Sequence, residues 1–171
     1  MKTDRVLALA ALLLIAAIFG FFYAWVCSTM WGLDQLDPQI AIAAMQAMNA
    51  SVRNPVFFPA FFLTPLVLLA SAAMLHHRHR RGSALWFAVA AAVYLVGGFG
   101  VTIAVNVPMN EALALVDATS LQTSGDPHGQ AGDIWRVYSG RWQFWNQVRA
   151  SACGLAVVMT GIGLIKLGQP A

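Results

Sequence analysis

The sequence predicts an all-α fold: a four-transmembrane-helix bundle with an amphipathic outer helix between helices 1 and 2. Three observations carry this. Of 171 residues, 59% are hydrophobic and 10% charged, far from the roughly 25% charged residues of a soluble domain. Four long stretches contain little or nothing that ionises, and the basic residues gather on alternate connections between them. Such a composition excludes intrinsic disorder, and two cysteines cannot staple a disulfide scaffold. With no polar block long enough to form a second unit, the chain reads as one integral membrane domain over 1–171.

The first span is expected near 6–31, because 28 residues between Arg5 and Asp34 carry no Asp, Glu, Lys, Arg or His and a ~30 Å hydrocarbon layer needs only about 20. Lys2 and Arg5 before an apolar run resemble the start of a signal peptide. The run is longer than the ~7–15 residues of such a core and ends in no small-residue cleavage site, so the helix is expected to stay.

Asp37-Pro38 then gives a helix start, an N-cap followed by proline in the first turn, and 38–52 reads as a lid helix across the outer mouth of the bundle. Ala41, Met45, Met48 and Val52 share one face, while Gln39, Gln46, Asn49 and Arg53 form another that Ile42 interrupts. The second span, near 55–75, and the third, near 84–110, come from uncharged runs of 22 and 29 residues. The stretch 117–133, rich in Ser, Thr, Gly and Asp, reads as a solvated loop. The fourth run, 150–165, is only 16 residues long. Trp135, Tyr138, Trp142, Trp145 and Arg149 lead into it at helical spacing as an interfacial aromatic belt would, and the span is placed at 142–166.

Orientation follows from the charges. Lys2, Arg5, Arg78, Arg80, Arg81 and Lys166 lie on one side with Asp4 as the sole acid; Arg53, Arg136, Arg141 and Arg149 face six acids on the other. The positive-inside rule then puts both termini in the cytoplasm, with a bacterial inner membrane as the expected location. The HHRHRR run at 76–81 reads as a clamp on anionic lipid. Cys27 and Cys153 fall at similar depth, where contact is possible, though buried small hydrophobes are the simpler reading. Gly97, Gly98, Gly100, Gly154, Gly161 and Gly163 read as close-packing positions. Ten Lys and Arg in all, divided between two membrane faces, do not make a nucleic-acid surface.

Polar side chains near hydrocarbon are costly and therefore functional candidates. Asn106 and Asn110 flank Pro108 on one face of the third helix, and Asn146 and Arg149 lie three apart on the fourth beside Trp142 and Trp145. The lid brings Gln46, Asn49 and Arg53 to the same depth. These groups are expected to converge beneath the lid helix. Structural ties between helix ends would leave the same pattern. The chain carries no Cys/His metal constellation, no phosphate-cradling loop and no dinucleotide fingerprint.

Three segments, "IAAMQAMNASVRNP", "GGFGVTIAVNVPMNEALA" and "WRVYSGRWQFWNQVRA", resemble in order those of the anthrone oxygenase-like family of small four-helix membrane proteins. The resemblance implies an oxygen-dependent oxidation of an anthrone-type substrate without metal or organic cofactor. By the same resemblance Asn49, Arg53, Asn54, Asn106, Asn110, Trp142, Trp145, Asn146 and Arg149 recur. In that reading Arg149, Asn106, Asn110 and Asn146 stabilise the developing anion, while Asn49, Arg53, Asn54, Tyr138, Trp142 and Trp145 bind the substrate. Water or Glu111 supplies the base. The partners expected are membrane lipids and a planar aromatic or quinone-like molecule. A non-catalytic module binding a lipid, quinone or protein would carry the same residues. An exporter is disfavoured by the lack of acids within the spans.

Overall fold

A computed structural model describes residues 3–117 and 129–169, and among them it is all helix. The chain forms α1 (Thr3–Leu33), α2 (Pro38–Ser51), α3 (Phe57–His77), α4 (Arg81–Ala114) and α5 (Gly129–Gly168). Four of these, all but α2, are long and apolar enough to cross a membrane. The bundle is a square in which α1 and α4 each pack against both α3 and α5.

Helix ends follow local chemistry. Asp37 caps α2, its Oδ1 accepting from Gln39 N at 3.0 Å, with Pro38 in the first turn. Pro65 lies inside α3 and, lacking an N–H, frees the carbonyl of Phe61 one turn back. Tyr94 of α4 fills that vacancy, its hydroxyl donating to Phe61 O at 2.8 Å. The turn after α3 places His79 at φ 60°, where its N–H and that of Arg80 close on His76 O and Leu75 O. This is the left-handed helix terminus usually given to glycine.

At the same end Arg78 lies 3.7 Å from Asp4, and Arg80 Nη1 donates to Gln169 O at 3.0 Å. Those bonds bring the start of α1, the α3–α4 turn and the end of α5 together, so the spans alternate in direction.

Close approach needs glycine at Gly97, where a Cβ would collide with that of Ala152 on α5, but Gly161 has open space around it and the close-packing expectation fails there. Cys27 is exposed, Cys153 buried, and both are free thiols.

The helices outrun the apolar stretches that announce them. Helix α5 begins at Gly129 rather than 142, so the last part of the stretch read as a loop is helical; 118–128 lies outside the described residues. Its 40 residues extend about 60 Å, twice the hydrocarbon thickness. The overhang is held by a second hydrophobic core, distinct from the one between the spans. It joins Met30 and Leu33 of α1, Ala41, Ile42 and Met45 of α2, Leu113 of α4 and Trp135, Tyr138 and Trp142 of α5. These aromatics therefore point inward and are buried, where an interfacial belt would face lipid. Their polar tips are all bonded, Tyr138 OH and Trp142 Nε1 donating to Asn110 Oδ1 at 2.9 and 3.0 Å. Trp135 Nε1 donates to Oδ1 of the exposed Asp34 at 3.0 Å, which also accepts from Ser139 Oγ at 2.6 Å.

Helix α2 also departs from the expected two-faced pattern. Ile42 is fully buried beside Ala41 and Met45, and Gln46 turns inward, its Nε2 donating to Leu113 O and Val116 O at 2.8 and 2.9 Å. The Leu113 carbonyl lies in the last turn of α4 and also accepts from Val116 N at 3.1 Å, and the Val116 carbonyl lies just beyond the helix end. The outward face of α2 is instead Ile40, Ala43 and Ala47.

Candidate functional site

Where the two cores meet, at the end of the bundle away from the termini, lies a cavity of about 270 Å³, near the lower end of the ~300–1,000 Å³ range of ligand pockets. Its walls are largely aromatic: Phe21, Phe22 and Trp25 from α1, Phe57, Phe58, Phe61 and Phe62 from α3, and Trp142 from α5. Trp25 and Trp142 face each other with ring centroids 5.1 Å apart, and Phe61 stacks on Phe57 and Phe99.

Local irregularities shape this cavity. Helix α1 passes through a π-helical turn at Trp25–Thr29, and α4 through two, Tyr94–Gly100 and Thr102–Asn106. Such turns interrupt the ordinary bonding ladder and are frequent at functional sites. Thr102 Oγ1 donates to Gly98 O at 2.7 Å, satisfying a carbonyl inside the first of the α4 segments.

Against the aromatic walls sit three polar groups of unlike status. Arg149 is 5% exposed. Its Nη2 donates to Asn146 Oδ1 at 2.8 Å and its Nη1 to Thr102 Oγ1 at 3.3 Å, and its Cζ lies over the rings of Phe22 and Trp142 at 4.4 and 5.1 Å. Its Nε has no partner and, among the described residues, no carboxylate pairs with it. Taking a guanidinium out of water costs several kcal/mol, of which two cation–π contacts at about 2 kcal/mol or less each return part. A negative charge in the cavity would restore the balance.

Asn106 is 1% exposed, and neither its Oδ1 nor its Nδ2 has a partner. Asn110 differs. Its Oδ1 accepts from Tyr138 OH at 2.9 Å and from Trp142 Nε1 at 3.0 Å, which fixes its orientation and leaves Nδ2 to the cavity.

Six of the ten residues singled out from the sequence line the cavity: Asn49, Arg53, Asn106, Asn110, Trp142 and Arg149. Two stand behind it. Asn146 holds Arg149 while its Nδ2 donates to Phe22 O at 3.1 Å, and Tyr138 links Asn49 to Asn110. Two lie elsewhere. Asn54 starts α3, its Oδ1 accepting from Val56 N and Phe57 N at 2.8 and 2.9 Å. Trp145 is half-buried beside Phe144, away from the cavity. Glu111 also lines the cavity, 3.8 Å from Arg53, and both side chains are more than half exposed.

Sequence reasoning missed Thr102 and the phenylalanine walls. A phenylalanine in an apolar run looks the same whether it meets lipid or a cavity, and only the polar spacing carried signal.

The family model described as anthrone oxygenase matches residues 48–159, well over half of the chain. That stretch holds every polar residue lining the cavity. No curated protein and no solved structure matches the chain.

Proposed function

The chain belongs to the anthrone oxygenase family, and from that premise we propose that it oxidises a planar phenolic or enolisable ketone with molecular oxygen at the outer side of the membrane, the termini lying in the cytoplasm. The observation that carries the reading is Asn106. An amide with both its polar atoms buried and unpartnered, beside an arginine without a counter-charge, suits a ligand that presents an oxygen and becomes an anion.

The substrate's ring lies between the Trp25–Trp142 pair and the inner phenylalanines Phe57 and Phe61, with its carbonyl oxygen toward Asn106 Nδ2 and Arg149. Loss of a proton from the activated CH2 gives an enolate whose charge rests on that oxygen. Donors placed where charge develops stabilise it most in a dry site. Glu111, which lines the cavity, takes the proton. The enolate is the reductant: it passes an electron to O2, and the resulting radical and superoxide combine to a peroxide anion at the same carbon. The proton held by Glu111 returns to give the hydroperoxide, and loss of water leaves a carbonyl. One O2 is consumed and one water released for each CH2 converted to C=O. Such a sequence asks no cofactor of the protein.

The test is oxygen uptake by purified, metal-stripped protein in nanodiscs given emodin anthrone. Protein-dependent uptake above the spontaneous rate, lost in Asn106→Ala and in Arg149→Leu, is the expected result. Tight binding without uptake across a panel of anthrones and hydroquinones would make the protein a binding module for a quinone-like molecule instead.

A further inference from the structure

One flank of the cavity is made by side chains that also face outward. Phe58, Phe62 and Ile103 line it and are 41%, 45% and 48% exposed. On α3, Phe58 and Phe62 continue a stripe through Leu66 and Leu69, both exposed, at the i, i+4, i+8, i+11 spacing of one helical face. That stripe is the surface a spanning helix turns to lipid. Helix α3 packs closely on the Arg81–Val93 part of α4 but not on Thr102–Ala114. Beyond the Phe61–Phe99 stack the two helices part, and the cavity reaches the outer surface between them. The 21 residues of α3 span about 31 Å, nearly the hydrocarbon thickness, so Phe58 and Phe62 in its first two turns lie within the edge of the hydrocarbon.

We propose that the gap between Phe58 and Phe62 of α3 and Ile103 of α4 is a lateral portal, through which a neutral, flat, lipophilic substrate passes between bilayer and cavity. The inference rests on the oxidation reading for what the visitor becomes inside. A neutral ketone dissolves in lipid and its enolate does not, so ionisation beside Arg149 retains the substrate until oxidation returns it to a neutral carbonyl compound that leaves by the same gap.

The test uses the full chain in phosphatidylcholine nanodiscs. Binding of 1,8-dihydroxyanthraquinone, which partitions into lipid, is followed by stopped-flow quenching of tryptophan fluorescence, with Trp25 and Trp142 as reporters, and compared with the water-bound anthraquinone-2-sulfonate. A portal controls rates and not affinity. Ile103→Phe is expected to slow association and dissociation together by about tenfold with Kd changed by less than about threefold, Phe62→Ala to speed both, and Leu66→Phe, one turn further along the lipid face, to change neither. The sulfonate is expected not to enter. Parent rates in both Ile103→Phe and Phe62→Ala, equal entry of the sulfonate, or no binding of either probe overturns the portal. Oxygen uptake separates the two readings. Portal-dependent binding without uptake leaves the portal standing and removes the oxidation, whereas uptake indifferent to both portal variants does the reverse.

Discussion

A buried carboxamide without partners destabilises the fold that contains it, by about 1–3 kcal/mol for each unpaired group, and Asn106 bears that cost on both Nδ2 and Oδ1. If Asn106 binds the substrate as proposed, stability and function are opposed at this one position. Asn106→Leu, close in volume and without polar atoms, is expected to raise the melting temperature in detergent while abolishing ligand binding; a variant that melts earlier than the parent would mean the amide is satisfied in the native state. Arg149 differs, because its neighbours are built around it. Arg149→Leu strands Asn146 Oδ1 and removes the charge, so oxidation is expected to fall by about 100-fold or more. Arg78→Leu, at the other end of the bundle with a side chain 48% exposed, should keep the parent rate. Parallel oxygen-electrode traces decide between them. At this scale the sequence was informative where residues are polar. Asn106, Asn110, Asn146 and Arg149 were legible from depth alone, since nothing but function or pairing keeps such groups near hydrocarbon. Asn54 and Trp145 shared the pattern without sharing the cavity, since spacing reports a helical face and not what that face meets.

Among the elements, the lid is held by Ala41, Ile42 and Met45 in the upper core and, beside them, by Gln46, whose single amide ties α2 to Leu113 O and Val116 O at the end of α4. Gln46→Ala should loosen both helices at once by about 1–2 kcal/mol. Hydrogen exchange is the measurement, with faster exchange expected in α2 and in the last turn of α4 and no change in α3. The α3–α4 turn offers the opposite case. His79 holds a left-handed conformation that a side chain disfavours, so His79→Gly should stabilise by about 1 kcal/mol, seen as a later thermal transition. Helix existence was readable from uncharged runs, yet the ends were not. A run of apolar residues marks the part of a helix that lipid requires, while α5 continues on hydrogen bonds to Asp34 and aromatic packing that hydropathy does not register. The three π turns were equally invisible, for they shift the face of a helix without changing its composition.

For the whole molecule, the up-down bundle joins the two termini and the α3–α4 turn at one end, and the charge balance expects that end in the cytoplasm. In a background of Cys27→Ser and Cys153→Ala, a membrane-impermeant maleimide added to intact cells should reach Leu115→Cys, a position 88% exposed at the opposite end, and not Gly82→Cys. The reverse pattern would invert the orientation.

Two cores, one between the spans and one above them, also mean that the protein need not melt as one body. The upper core depends on water-driven burial and on a few amides, the lower on packing among helices that lipid keeps upright whether or not they touch. Heating or mild denaturant should thus release the upper layer first as a cooperative unit of lower opening free energy, while the four spans stay inserted. Because the cavity uses walls from both layers, a ligand there acts as a rivet: it should raise the first transition by mass action and draw it toward the second, until the two merge into one.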